Sequence, residues 1–389
     1  MRTILELGAV LAASAALCGQ ALPTSVLVTD HGPQTAIAGP GAPKHIVGLP
    51  RTMHTISLDS GGRVYGLRYV VAHDEKRPGI AIPGEGYVGM PQPADCNWYG
   101  GGFLDLEING RSIGTTPIHT FAGRGVGKRG YVDFIFDTVL AVVRLRFVAL
   151  AGNDALYCQA LLEPKSEITS LRVTLRCYPS AFVSTGERHV LTPVRDLEQG
   201  ERAELDLDTE RWLLYYDRIF DAGYATASQR GLGPCAVLWP PEQAGKVAFS
   251  VGGYGIDTVM DIQPRQRDLR FVFFDFAGTG NETAKAALRE RAPGLQKELS
   301  MFVFTDASVA GWPLAEKQRE VQPLLAALPE DQGAVGTYNR WAAELAKQLP
   351  LITAGAPGAI MAEANAATAI AAWERGLPEL RLKALLREI

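Results

Sequence analysis

Histidine and cysteine are scarce in this chain of 389 residues, with six of the first and five of the second. No two cysteines stand at the spacing of a zinc-ligand pair, so no metal site is expected. Charge of one sign is not in excess: 38 basic against 42 acidic side chains leave a net charge of −4 and no electrostatic footprint for nucleic acid. Beyond residue 17 no apolar run is long enough to cross a bilayer, so no membrane span is expected. A nucleotide cofactor is excluded on local grounds. Gly125, Gly127 and Gly130 fit G-x-G-x-x-G formally, but a strand-like run follows where the pyrophosphate needs a helix N-terminus. The phosphate-loop pattern also fails, because Ala122 and Arg129 stand where Gly and Ser or Thr are required. No cofactor is expected.

The first 21 residues form a unit. Arg2 gives a positive start, residues 7–17 are apolar, and Gly19 and Ala21 place small residues before a cut near Ala21. That is the pattern of a signal peptide, and it predicts a periplasmic or secreted protein. Four cysteines then remain: Cys96, Cys158, Cys177 and Cys235. Export permits disulfides. Cys158 and Cys177 lie on apolar strand faces and a turn between them would let them meet. A domain of this size needs no staple, and buried thiols are the reading preferred.

What is abundant is glycine and proline, 41 and 24 residues, beside 47% hydrophobic residues. This favours a turn-rich β protein with a large core. Period-two alternation is strongest in residues 139–150, 155–163 and 168–178. In the first, Val143, Leu145, Phe147 and Ala149 share one face and Arg144 and Arg146 the other. With turns at 151–154 and 164–167, the three predict an antiparallel meander. Asn109-Gly110 marks another hairpin. Shorter strand signals recur to residue 276. From 281 the chain turns Ala-, Leu- and Glu-rich with helical spacing over 282–299, 314–328, 335–349, 359–375 and 379–387, punctuated by prolines, and 301–305 reads as one more strand. The expected organisation is a leader (1–21), an extended lead-in (22–43), a large antiparallel β-sandwich (44–280) and a helical C-terminal region (281–389).

The long alternating strands such as 142–148, the run from Tyr157 to Tyr178 and the overall length make residues 44–276 resemble the two-sheet supersandwich of the galactose mutarotase-like superfamily. That resemblance implies a carbohydrate-handling protein, an epimerase or a domain of a lyase or hydrolase. Its lyases usually carry a helical toroid before the sandwich, whereas helices here follow it. Mutarotase-type chemistry needs a carboxylate and a histidine in one cleft. Glu187 and His189, two residues apart on one strand face, with His119 and Asp217, form the catalytic shortlist. Asp217 also stands near Asp221, a second carboxylate for glycoside hydrolysis, although Arg218 between them suggests an ordinary ion pair.

Binding signals are aromatic and cationic. Sugar C–H faces stack on Trp and Tyr, and Trp98, Tyr99, Tyr216 and Trp239, with Tyr215 and Tyr254, fall near strand ends. Three glycines after Tyr99 would admit a ligand or another backbone. The 123–130 loop carries Arg124, Lys128 and Arg129, which suit the carboxylate or sulfate of an acidic sugar. The expected site is the concave face of the sandwich, rimmed by residues 73–93, Trp98-Tyr99 and 123–130. Arg144, Arg146, Arg172 and Arg176 predict a basic face, either solvated and paired with Glu163 and Glu167 or covered by the helical tail through Glu282, Glu290 or Glu298. Two functions follow: a carbohydrate-active isomerase, lyase or hydrolase, or a non-catalytic carbohydrate-binding or assembly module with a helical docking tail. The oligomeric state has no sequence signal.

Overall fold

The computed structural model describes residues 24–40, 44, 46–74, 76–81, 87–92, 98–99, 101–179, 187–218 and 233–387. The leader at 1–21, Cys18, Cys96 and Asp221 lie outside them. The strands in chain order are β1 (Leu27–Ile37), β2 (Pro50–Asp59), β3 (Val64–Asp74), β4 (Arg77–Ala81), β5 (Tyr87–Gln92), β6 (Leu104–Ile108), β7 (Arg111–Ser112), β8 (Ile118–Val126), β9 (Arg129–Asp137) and β10 (Ala141–Leu150). They continue as β11 (Ala155–Pro164), β12 (Leu171–Cys177), β13 (Arg188–Leu191), β14 (Asp196–Glu198), β15 (Arg202–Glu204), β16 (Trp212–Asp217), β17 (Cys235–Leu238), β18 (Ala244–Val251), β19 (Ile256–Ile262) and β20 (Asp268–Asp275). The helices follow: α1 (Asn281–Met301), α2 (Ala307–Ala310), α3 (Leu314–Ala326), α4 (Gln332–Ala354) and α5 (Ala359–Arg387).

The strands make two antiparallel sheets. The front sheet runs β1-β2-β3-β5-β6-β12-β19-β18-β15, with β4 on β3 and β7 on β6; the back sheet runs β14-β13-β16-β17-β20-β11-β10-β9-β8. Inward residues of both, among them Leu106, Phe134, Phe147, Val173, Met260 and Phe273, close one apolar core. This is the β-sandwich with a helical tail that the alternation predicts. The lead-in differs: Leu27–Ile37 is the edge strand of the front sheet, paired with β2 along its length.

The meander does not hold in its third strand. β10 and β11 pair in the back sheet, but β12 crosses over and pairs with β6 and β19 in the front sheet. Asn109 pins the crossing. Its side-chain oxygen accepts from the Thr169 and Ser170 amides at 2.8 and 3.1 Å, and its own amide donates to Ser170 at 2.9 Å. Cys158 and Cys177 consequently sit in opposite sheets, and they and Cys235 are buried free thiols.

The outer face of the back sheet is covered. α1 lays Leu288, Leu295 and Leu299 on Val148, Tyr157 and Phe274. Residues 302–305 are not a strand: Phe302 stacks on Tyr157 at 4.1 Å, and the Val303 and Phe304 carbonyls accept from Arg129 and Arg146 at 2.5 and 3.0 Å. α3, α4 and α5 share a core of Trp312, Tyr338, Leu345 and Trp373. Pro378, read as a break, lies inside α5, and Pro323 and Pro350 lie inside α3 and α4. No helix among the described residues is long and apolar enough to cross a membrane.

Candidate functional site

The two arginine rows separate. Arg172 and Arg176 stand on the outer face of the front sheet, whereas Arg144 and Arg146 are buried on the back sheet. Arg146 is 1% exposed, and its fork holds Asp133 through Nε at 2.6 Å and Nη2 at 2.8 Å. Its Nη1 lies 2.8 Å from Glu363 Oε1 on α5, and Arg144 bonds the other oxygen of the same carboxylate. Arg124 joins Asp133 at 2.8 Å and also bonds Asp306. Burial alone would raise the Asp133 carboxyl, but Arg146 and Arg124 override it and hold it well below the usual range. Asp306 is held down in the same way, against burial, by Arg124. The back-sheet face is therefore not solvated. It clamps the helical region, as the second alternative held, but through Glu363. Glu298 instead accepts from Tyr157 Oη at 2.6 Å.

This removes the cationic rim from the concave face. Residues 123–130 are the end of the β8–β9 hairpin, not a loop, with Gly127 at φ 56 in its turn. Arg124 and Arg129 both turn to the helical region, Arg129 lying over the Phe302 ring at 5.0 Å. Lys128 is exposed at the hairpin tip. Residues 73–93 contribute β4 and β5 to the front sheet, and 82–86 lie outside the described residues.

The catalytic shortlist is dispersed. His119 is exposed on β8, with Nδ1 2.9 Å from Thr120 Oγ1. β8 and β13 lie seven strands apart in the back sheet. At about 4.8 Å per strand that is roughly 30 Å, too far for His119 to share a cleft with Glu187 or His189. His189 is buried beneath α1, stacked on Tyr216 at 4.8 Å, with Nδ1 3.3 Å from Asp196. Tyr216 donates to Asp196 at 2.6 Å, and Lys285 of α1 sits 4.2 Å above its ring. Glu187 is half-exposed, 3.9 Å from Arg218. Asp217 is fully buried in register with Arg188, and its carbonyl accepts from Asn281 at 3.0 Å. Trp98 and Trp239 are core residues with no exposed surface; Trp98 donates to the Phe274 carbonyl at 2.9 Å.

One aromatic expectation is gathered rather than dispersed. Trp98 bridges Cys177 and points inward, so period-two alternation turns its neighbour Tyr99 outward. There Tyr99 meets Tyr254, the tip of the β18–β19 hairpin, their hydroxyls 3.3 Å apart and their rings 6.2 Å apart. Tyr178 completes the cluster, 5.9 Å from Tyr99 and 4.7 Å from Tyr254. Tyr254 is 57% exposed. Gly101 serves the Tyr99 ring itself: a Cβ there would lie 2.9 Å from Tyr99 Cε1. Tyr178 and the buried Arg188 that lies 5.0 Å over its ring were not among the expected site residues, the only signal being an aromatic at the end of the alternating run 168–178.

Arg176 lies 5.6 Å over the Tyr99 ring and grips Asp257 at 2.6 Å through Nε and 3.2 Å through Nη2. From Asp257 a shallow groove of about 470 Å³ continues along the outer face, lined by Val259, Ser250, Ala248, Glu204 and Arg202. Burial, helped by the Tyr254 hydroxyl, pushes the Tyr99 hydroxyl up to about 12. At neutral pH it is a protonated hydrogen-bonding group, not a base.

No family model and no curated protein matches the chain. Among solved structures it is similar to the GH36 alpha-galactosidase AgaB from Geobacillus stearothermophilus, at 11% identity and TM-score 0.35, over 58% of this chain and 40% of that one. It is also similar to the alpha-N-acetylgalactosaminidase NagBb from Bifidobacterium bifidum in its GalNAc complex, at 11% and 0.37, over 66% and 42%. A Paenibacillus xanthan lyase gives 8% and 0.37, over 64% and 27%. The chain thus spans less than half the length of each. No residue role is carried over from them.

Proposed function

We propose that the protein binds carbohydrate on the open outer face of the front sheet, with Tyr99, Tyr178 and Tyr254 as the platform and the groove from Asp257 to Arg202 as its continuation. The observation that carries this reading is the exposed Tyr254 ring, braced by two other tyrosines beside a groove that sets Ala248, Phe249 and Val259 among Ser250, Glu204 and Arg202. An aromatic face with hydrogen-bonding groups at its edge is what a pyranose requires. The helices pack on the back sheet, and among the described residues they leave this face uncovered.

A neutral glycan suits the face better than the acidic one expected from the 123–130 hairpin. Arg172, Arg176 and Lys246 each hold a carboxylate, Asp261, Asp257 and Glu204, at 2.9, 2.6 and 2.6 Å. Binding without turnover is the preferred form. Tyr99 keeps its proton, and His189 and His119 lie off the platform. Export through the 1–21 leader belongs to the same proposal and would bring the protein to extracellular glycans. The supersandwich resemblance accords with it.

The test is titration calorimetry with neutral, uronate-containing and sulfated oligosaccharides, on the wild type and on Tyr254→Ala. Neutral glycans are expected to bind. The substitution should weaken them by about 2 kcal/mol, the scale of one aromatic side chain's burial, or roughly 30-fold. Binding unchanged by Tyr254→Ala, or release of new reducing ends by the wild type, would overturn the reading.

A further inference from the structure

The opposite end of the same outer face carries a feature that glycan binding does not use. β1 has a bulge: Asp30 pairs with Ile56 and Pro33 with His54, so His31 and Gly32 together stand opposite Thr55. Gly32 takes φ +70, the left-handed conformation such a bulge needs, and its amide is tied to Asp30 Oδ1 at 2.8 Å. Bulges re-aim side chains, and this one turns the exposed His31 over Ser57 of β2. His31 Nε2 lies 2.9 Å from Ser57 Oγ. Both line a depression of about 220 Å³ whose wall also carries Gln34, Met53, Thr55 and Arg68.

We propose that His31 and Ser57 form a nucleophile–base pair that hydrolyses short-chain carboxylic esters. A serine hydroxyl within hydrogen-bond reach of an imidazole is the minimal arrangement for acyl transfer. The Gln34 amide and the Arg68 guanidinium, which donates to Thr55 Oγ1 at 3.3 Å, stand on the wall as the polar groups for a developing oxyanion. Ser57 Oγ attacks the ester carbonyl carbon as its proton passes to His31 Nε2. The tetrahedral intermediate collapses by breaking the C–O bond to the alcohol, which leaves with that proton. Water, giving a proton to His31, then attacks the acyl–Ser57 ester. The carboxylic acid is released and the serine hydroxyl restored, so ester and water become acid and alcohol with no change of oxidation state. The size of the depression selects a short acyl group. Asp30 accepts from His54 at 2.6 Å and from Gly32, so it is not the third member of a triad, and slow turnover is expected.

The experiment is hydrolysis of p-nitrophenyl acetate, butyrate and octanoate by the full chain, beside labelling with a fluorophosphonate and peptide mapping. The acetate should be cleaved faster than the octanoate. Ser57→Ala should fall to background, His31→Ala should fall roughly 100-fold, and the phosphonate should sit on Ser57. Thermal unfolding of the variants shows whether they fold, and labelling of the wild type tests the pair without any substitution. Equal rates for wild type and Ser57→Ala, or a label elsewhere, would overturn the proposal. Because neither readout involves a glycan, it stands or falls apart from carbohydrate binding.

Discussion

Arg146 Nη1 lies 2.8 Å from Glu363 Oε1, and this contact joins the middle of the back sheet to the last helix. The carboxylate is 93% buried, since its side chain is 7% exposed. Removing one partner of a buried ion pair leaves the other charge desolvated and unpaired, at about 3–5 kcal/mol. Glu363→Ala should cost about that much in urea unfolding. Glu374→Ala, on an exposed position of the same helix, should stay within about 0.5 kcal/mol. Equal midpoints for the two variants would mean that the contact holds nothing.

The same network sets the response to acid. Asp133 and Asp306 are both held below their ordinary values in the folded state, against the pull of burial. A depressed carboxyl contributes stability that is full above its unfolded value of about 3.9 and is lost as pH falls toward the folded value. Stability should therefore hold through neutral pH and drop below about pH 4. Asp133→Asn, measured by thermal unfolding across that range, should start lower and flatten the drop. An unaltered slope would contradict the linkage.

How legible was this in the sequence? The alternation of residues 139–150 announced a strand, and Ala141–Leu150 is one. It could not say that Arg144 and Arg146 are buried, because a solvated face and a face covered by ions from α5 share the same period. Glu363 is 219 residues from Arg144. The turn after Pro164 looked like a hairpin, yet Asn109 recruits residues 169–170 to the other sheet, and a tertiary bond of that kind leaves no local mark. The residues 301–305 have the composition of a strand, but their carbonyls are taken by Arg129 and Arg146 instead of a neighbouring backbone. The outward turn of Tyr99 was legible for a local reason: Trp98 is large enough to be claimed by the core, and alternation sends the next ring outward. His189 was misleading because a strand that carries polar residues on one face can still lie beneath a helix.

Gly123 shows where the two sheets meet at their edge. A Cβ built there would lie 2.6 Å from Ile56 Cγ2 and 3.0 Å from Val28 Cγ1, on the strands of the opposite sheet. Neither β-branched neighbour can swing far, so Gly123→Ala overpacks the seam. A loss of about 1–3 kcal/mol is expected. Gly127, with open space around it, differs: alanine there strains only the turn. Denaturant midpoints of the two variants should separate packing from backbone strain.

The thiols give a simple check on the crossover. Burial pushes Cys158 and Cys235 well above the ordinary thiol range, and Cys177 lies against Cys235, not Cys158. All three should resist alkylation in the native protein and react together on unfolding, with peptide mapping finding no Cys158–Cys177 disulfide. Such a disulfide would contradict the two separate free thiols.

On the proposed platform, Asp257 is expected to set which sugars are preferred. It occupies both Nε and Nη2 of Arg176, so a ligand carboxylate finds that guanidinium already engaged. Asp257→Asn keeps the shape and removes the charge. The pair is a little under half exposed on both sides, so its loss should change stability by no more than about 1 kcal/mol. Arg176 then becomes available to a uronate. Affinity for uronate-bearing oligosaccharides should rise by about 0.5–1 kcal/mol, a few-fold, while neutral ones stay within about two-fold. Calorimetry on the two glycan classes reads the difference directly. If Asp257→Asn leaves the uronate affinity where it was, the ion pair is not what selects against acidic sugars, and the groove from Ser250 to Arg202 must be examined as the selective element.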